Sequence, residues 1–399
     1  MHIPITKPYI TEREHELVHE ALSSGWLVQG PKVKEFERQV ASFAGAKYAI
    51  AVNSCTSGQM LMSHILQIGQ GDEVPVPAFT WISTANAVEY RGARPVFCDI
   101  NLDTFNVDAG QLEEKISAST RALYPVSLFG LAANMPEIQN LADHHRLPVV
   151  EDVACGLGSF IKDKHCGTFG RAGILSFHPR KSITTGEGGV MITNDQGVAQ
   201  EARSLREHGA VKSDHDRHTS ANPHQMSAYP RLGFNMRMTD LQAALGIAQV
   251  EKLDEILRIK NQLALEYRQN LGGLTWLRLP KVPPGYTHSY QTYCTLFKPQ
   301  EAYDALERND VRKLDALHQQ RNAVMEALAK KGIMTRPGTH ALHIQQLYQR
   351  KYGYHKMDFP NAYAADRLSL ALPFYPTITR EEKDYLFDQI RKMDPPCAE

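Results

Sequence analysis

One lysine, Lys181, stands in the run SFHPRKSITTGEGGVMIT (176–193), between an apolar segment ending at Phe177 and a glycine-rich turn that leads into another apolar segment. Three other stretches carry groups able to act with it. NSCTSG (53–58) leaves an apolar run and enters a helical one, so the hydroxyls of Thr56 and Ser57 and the free N–H groups of a helix start form an anion site. PAFTW (77–81) ends in an aromatic, Trp81, and VVEDVA (149–154) ends an apolar run with two carboxylates, Glu151 and Asp152. Ser176 and His178 accompany Lys181. Each feature has a plainer reading by itself. A Thr-Ser pair caps a helix, a tryptophan packs, an acid at a strand end caps the next helix, and a lysine in a turn is solvated.

Together the four groups meet the needs of pyridoxal 5′-phosphate (PLP). Its phosphate requires N–H and hydroxyl donors, and its ring requires a flat apolar face. Its pyridine nitrogen requires a carboxylate that keeps it protonated, and its aldehyde requires an amine. A lysine supplies that amine once burial or nearby cations lower its pKa. The glycines of TTGEGG let the backbone turn tightly beside such a group.

The elements that must position these residues follow from hydrophobic patterning. YAIAVNS, DEVPVPAF, RPVFCDI, RALYPVSLFG, LPVVEDVA, GILSFHP and GVMITND read as seven strands, several separated by periodic segments such as 134–145. This alternation predicts an α/β fold with a mainly parallel seven-stranded sheet, and ligands of such sheets bind beyond the carboxyl ends of the strands. From Thr239, a plausible N-cap, helical spacing runs to Asn270 and predicts one long helix bridging two domains: a large domain over 1–250 and a smaller α+β domain over 251–399. The polar stretch 211–230 reads as a long loop, and 302–331 as charged helix.

With 399 residues, 42% of them hydrophobic, the chain can bury a sizeable core. Lys plus Arg and Asp plus Glu balance at 44 each, so no net field draws it to nucleic acid or an anionic membrane. No secretory signal pattern or membrane-length apolar run is present, which makes the cytoplasm the expected location. Six scattered cysteines without CxxC spacing suit reduced thiols. His340 and His343 in THALH lack the further ligands a metal site needs, so no metal is expected.

The chain resembles the DegT/DnrJ/EryC1/StrS family of sugar aminotransferases, which share the aspartate aminotransferase fold type I. The resemblance runs over essentially its whole length. It rests on KPYITEREHELVHEALSSGWLVQGPKVKEFERQVASFAGAKYAIAVNSCTSG, VPAFTWISTANAVEYRGARPVFCDI, VVEDVACGLGS, CGTFGRAGILSFHPRKSITTGEGGVMITND and LGFNMRMTDLQAALGIAQVEKLDEI, in that order. It implies that Lys181 binds the cofactor aldehyde and Asp152 its pyridinium nitrogen. Thr56, Ser57 and Ser176 would hold the phosphate, Trp81 would stack on the ring, and Asn235 would reach the phosphate of a neighbouring subunit. Cys155 occupies the position where family members commonly carry glutamine or histidine against the ring oxygen, and a thiol is a weaker donor. His178, Glu187 and His340 fall on the substrate side.

The implied reaction passes an amino group, by way of pyridoxamine 5′-phosphate, from L-glutamate to a nucleotide-linked 4-keto-6-deoxyhexose. The TTGEGG form resembles the C4-aminating members, and a homodimer with shared active sites is implied. Two alternatives stand beside it. A PLP-dependent sugar dehydratase would carry histidine in place of Lys181, and a non-catalytic PLP-binding regulator would need a DNA-binding face that the chain lacks. A segment near 299–321 departs from the family pattern and reads as a surface helix.

Overall fold

The computed structural model describes residues 1–211 and 226–393, so most of the expected 211–230 loop lies outside the described residues. The first half contains nine strands: β1 (Tyr48–Val52), β2 (Glu73–Pro77), β3 (Phe79–Thr80), β4 (Arg94–Cys98), β5 (Val150–Asp152), β6 (Phe160–Ile161), β7 (Lys164–His165), β8 (Ala172–Ser176) and β9 (Gly189–Thr193). Four pair in the order β1-β9-β8-β5, with β9 antiparallel to both neighbours and β5 parallel to β8. Residues 120–127 extend this sheet: Val150 N donates to Leu123 O on one side, and Tyr124 N donates to Pro75 O of β2 on the other. β2 in turn pairs in parallel with β4. The result is the expected seven-stranded sheet, with β9 alone reversed. Its central strands are buried along their whole length, which is why they read in sequence as continuous apolar runs rather than alternating ones.

Helices cover the sheet. α1 (Glu12–Ser24) opens on a Thr11/Glu14 capping box and ends at Gly25 in the left-handed region, φ 72°. α2 (Pro31–Ala44) is capped from a distance, because the Asp240 carboxylate accepts hydrogen bonds from the backbone N–H groups of Gly30, Lys32 and Val33 at 2.7–3.1 Å. α3 (Cys55–Ile65) and α4 (Ser83–Glu89) start directly after the ends of β1 and β3.

The single long helix expected over 239–270 is instead two, Asp240–Glu251 and Leu253–Leu271, separated at Lys252 with φ −112° and ψ 14°. Thr239 is the N-cap as expected, its hydroxyl accepting from Gln242 N. The break coincides with a tertiary anchor: the Lys252 ammonium pairs with the buried Glu14 carboxylate and reaches the Thr11 hydroxyl. The second helix buries one face, through Leu253, Ile256, Leu263, Ala264, Tyr267 and Leu271, whereas the first is buried around most of its circumference.

Beyond Leu271 a three-stranded antiparallel sheet forms from Leu277–Arg278, Tyr293–Phe297 and Ser369–Leu372. The region 299–321 is helical as expected, split into two helices at 308–310, with its charged positions largely at the surface. Its two helices, Pro299–Glu307 and Val311–Lys330, bury Ala302, Ala305, Leu314 and Leu317. The short strand His340–Ala341 pairs with β3 of the first sheet, with His340 opposite Thr80. Cys55, Cys98, Cys155, Cys166 and Cys294 are free thiols. Among the described residues no helix is long and apolar enough to cross a membrane.

Candidate active site

Sheet topology brings together those sequence-predicted residues that lie at strand ends. β1, β5 and β8 point the same way, so their carboxyl ends lie along one edge, and the reversed β9 begins at that edge. The segments 53–57, 152–155, 176–181 and 186–189 therefore converge. The backbone at the start of β9 sits against the start of α3 so closely that a Cβ on Gly189 would lie 2.6 Å from Cys55 N and from Ser54 C and O. Glycine is required at 189 for that approach.

Asp152 ends β5 and is 4% exposed. Its Oδ2 accepts hydrogen bonds from Gln59 Nε2 and Thr84 Oγ1, both at 2.6 Å, and its Oδ1 accepts from Ala154 N at 3.1 Å. Burial pushes its carboxyl above the ordinary value, an effect that these hydrogen bonds and the charge of Lys181 oppose. No salt bridge reaches it from the described residues.

Lys181 follows β8 in a tight turn in which its N–H donates to His178 O at 2.8 Å, and its ammonium donates to Cys155 Sγ at 3.2 Å. Cys155 is thus in the site, but beside the lysine. His178 is half-buried; its Nδ1 accepts from Arg180 N, and its Nε2 lies 4.0 Å from Glu187 Oε1. Burial lowers the His178 pKa. The structure so pairs two of the residues expected on the substrate side.

At the start of α3, Ser54 is the N-cap and accepts from Ser57 N, while Ser57 Oγ donates to Asn53 Oδ1 at 2.6 Å. The Ser57 hydroxyl would have to turn from Asn53 to donate to an anion. The hydroxyls of Thr56 and Ser176 make no side-chain hydrogen bond among the described residues, although Ser176 is only 9% exposed. Trp81 is 56% exposed and tilted against the His340 ring, with centroids 5.9 Å apart, as the β3 pairing requires. Asn235 is exposed in an extended segment bridged to Glu207. His343 has a packing role: it is buried, 3.0 Å from Lys356 O and edge-on to Phe359.

Two polar residues of the site escape a reading by strand ends, Gln59 and Thr84. They sit one turn into α3 and at the start of α4, and what unites them is burial against Asp152. A buried carboxylate held by three neutral donors and lacking a salt-bridge partner among the described residues fits a pyridinium N–H. An amine on the same edge, the free Thr56 hydroxyl at a helix start and the free Ser176 hydroxyl at a strand end fit an aldehyde and a phosphate. The residues present therefore suit PLP.

Comparison with known proteins agrees with that fit. Residues 8–391 match the DegT/DnrJ/EryC1/StrS aminotransferase family. The chain is 35% identical over 391 residues, 98% of its own length and 97% of the relative's, to the spore coat polysaccharide biosynthesis protein SpsC of Bacillus subtilis. It superposes on the aminotransferase TlmJ of Streptoalloteichus hindustanus with a TM-score of 0.86 at 29% identity, covering 98% of each chain. On the PLP form of the putative sugar aminotransferase Spr1654 of Streptococcus pneumoniae the TM-score is 0.87 at 26% identity, over 99% of this chain and 100% of that one. A pyridoxamine form of the same protein matches equally well. The chain belongs to the DegT/DnrJ/EryC1/StrS aminotransferase family and is a PLP-dependent sugar aminotransferase.

Proposed function

We propose that this aminotransferase moves the amino group of L-glutamate to the C4 keto carbon of a nucleotide-linked 6-deoxyhexose, yielding an amino sugar for a surface polysaccharide or glycan. The observation that carries the reading is the convergence of the Lys181 amine, the buried Asp152 carboxylate and the free hydroxyls of Thr56 and Ser176 on one sheet edge. When bound, PLP supplies the electron sink that makes the hydrogen on the amino-bearing carbon acidic.

The chain's own residues supply the rest. Asp152 holds the pyridine nitrogen protonated. Lys181 Nζ takes the proton from the donor's Cα and delivers it to C4′ of the cofactor, then reverses the transfer for the sugar. Thr56, Ser57, Ser176 and the α3 N-terminus hold the phosphate. Trp81 and Cys155 bound the ring, and His178, Glu187 and His340 face the substrate. The division into a domain over 1–250 and one over 251–399 would let the cleft form between two bodies.

Colour tests the reading. Added L-glutamate should bleach the visible band of the PLP-loaded protein to the near-ultraviolet pyridoxamine form, and a 4-keto nucleotide sugar should restore it. Failure of every 4-keto sugar while a 3-keto sugar succeeds would overturn C4 amination, and inertness of glutamate beside an active second amino acid would overturn the donor.

Assembly is the second part of the proposal. Asn235 of one chain would complete the phosphate site of another in a C2 dimer. Mixing inactive Lys181→Ala chains with chains impaired by Asn235→Ala should then give heterodimers with one doubly defective and one intact site, recovering up to about half of wild-type activity per heterodimer. Heterodimers no more active than the two parent mutants would contradict the shared site.

A further inference from the structure

Two guanidinium groups lie in the neighbourhood of Lys181, and among the described residues no anion pairs with either. Arg336 is fixed by the small sheet, its N–H donating to Ala371 O at 3.3 Å and its carbonyl accepting from Ala371 N at 2.8 Å. Its side chain is partly buried and makes no hydrogen bond or ion pair among the described residues. Arg180, exposed and adjacent in sequence to Lys181, is equally unpaired, and Gln291 Nε2 holds its carbonyl at 2.5 Å. Arg180, Arg336, Gln291, Thr292 and Thr6 line one crevice. The charge of Arg336 acts on His178, and the thiol of Cys155, which touches the Lys181 amine, acts on Arg336. Burial and the like charge of Arg180 both disfavour the charged form of Arg336, yet a guanidinium does not give up its proton in a protein. Such a cation is costly to hold without a counter-ion.

The reaction brings two kinds of anion, and chemistry separates them. In an α-amino acid the carboxylate is attached to the very carbon that carries the amino group. When that amino group is at Lys181, the carboxylate must meet a cation a short distance away. In a nucleotide-linked hexose the diphosphate is across the whole sugar ring from C4, so a cation this close to Lys181 cannot hold it while C4 reacts. We propose that Arg336 binds the α-carboxylate of the amino donor, with Arg180 adding positive potential at the mouth of the crevice. The assignment rests on the aminotransferase reading above and names the residue that selects its donor. A planar guanidinium grips a carboxylate through two parallel hydrogen bonds, which also sets the angle at which the Cα hydrogen faces Lys181.

The test separates the half-reactions. Arg336→Gln should raise the glutamate concentration for half-maximal bleaching of the PLP form by on the order of 10²-fold, as expected for losing one partner of a desolvated charge pair. The rate at which its pyridoxamine form reacts with keto nucleotide sugar should stay within about threefold of wild type. Calorimetry with glutarate, an unreactive dicarboxylate, should show binding to the wild-type PLP form and none to Arg336→Gln. If Arg336→Gln fails to retain the cofactor's visible band, Arg336→Lys takes its place and should show the same selective loss at about tenfold, since charge remains without the bidentate grip.

Equal loss in both half-reactions would make Arg336 a structural residue, and loss confined to the sugar half would assign it to the nucleotide. Either overturns the inference. If no common amino acid bleaches the wild-type protein, the aminotransferase reading itself falls; if wild type and variant bleach alike, this inference falls alone.

Discussion

Lys181→Ala is expected to lower kcat by about 10⁴-fold or more, because on the proposed mechanism it removes the base and acid of both half-reactions at once. The variant should still bind PLP, since the phosphate-side hydroxyls, the α3 N-terminus and Asp152 are untouched. Stopped-flow spectra of the loaded variant should show glutamate altering the cofactor band without releasing 2-oxoglutarate at a measurable rate. The structure also predicts little change in melting temperature, because Lys181 is partly exposed and its one side-chain partner is the Cys155 thiol. Turnover within tenfold of wild type would remove Lys181 from the chemistry.

Asp152→Asn is expected to slow both half-reactions by roughly 10²–10³-fold, the scale of removing one preorganised electrostatic contact from a dry site. Asparagine keeps an acceptor for Gln59 and Thr84, so the packing is retained, whereas Asp152→Ala would leave those two buried donors unpaired at about 1–3 kcal/mol each. Stability should move oppositely to activity. Burial raises the folded-state pKa of Asp152, so the apoprotein binds this proton more tightly than the unfolded chain does. The stabilisation is complete below the ordinary aspartate pKa and is lost as pH rises through the raised folded value. Once that proton is lost the buried charge is a cost to the apoprotein, so apo Asp152→Asn should melt no lower than apo wild type. A large drop in melting temperature together with normal half-reaction rates would make Asp152 a structural cap.

The chemistry of this site was legible in the sequence to the extent that it lies on strand ends. Lys181, Asp152, Ser176 and the 53–57 turn each end or follow an apolar run, and parallel strands put their ends on one edge. Gln59 and Thr84 were not legible, because they meet Asp152 from 93 and 68 residues away across helices whose packing no local pattern encodes. The role proposed for Arg336 hides for the same reason: what marks it is the lack of a partner among the described residues, which only three dimensions reveal. All seven strands appeared as apolar runs, but the reversal of β9 did not, since a fully buried strand reads alike in both directions. The break at Lys252 leaves no mark in the sequence, because a tertiary ion pair with Glu14, not a proline or glycine, accompanies it. The helices at 299–307 and 311–330 read as charged and solvated because their charged faces are at the surface, and the narrow apolar stripe each buries is a small share of its residues.

The central claim is that Lys181, and no other amine, holds the cofactor. A credible competitor exists in Lys260, which is fully buried, lines a crevice with Lys181 and has its pKa pushed down to about 8 by burial. Reducing the PLP-loaded protein with borohydride, digesting it and locating the pyridoxyl group by mass spectrometry decides between them. The account predicts the adduct on Lys181 and its disappearance in Lys181→Ala. An adduct on Lys260 in the wild-type protein, or one that persists at wild-type yield in Lys181→Ala, would contradict it.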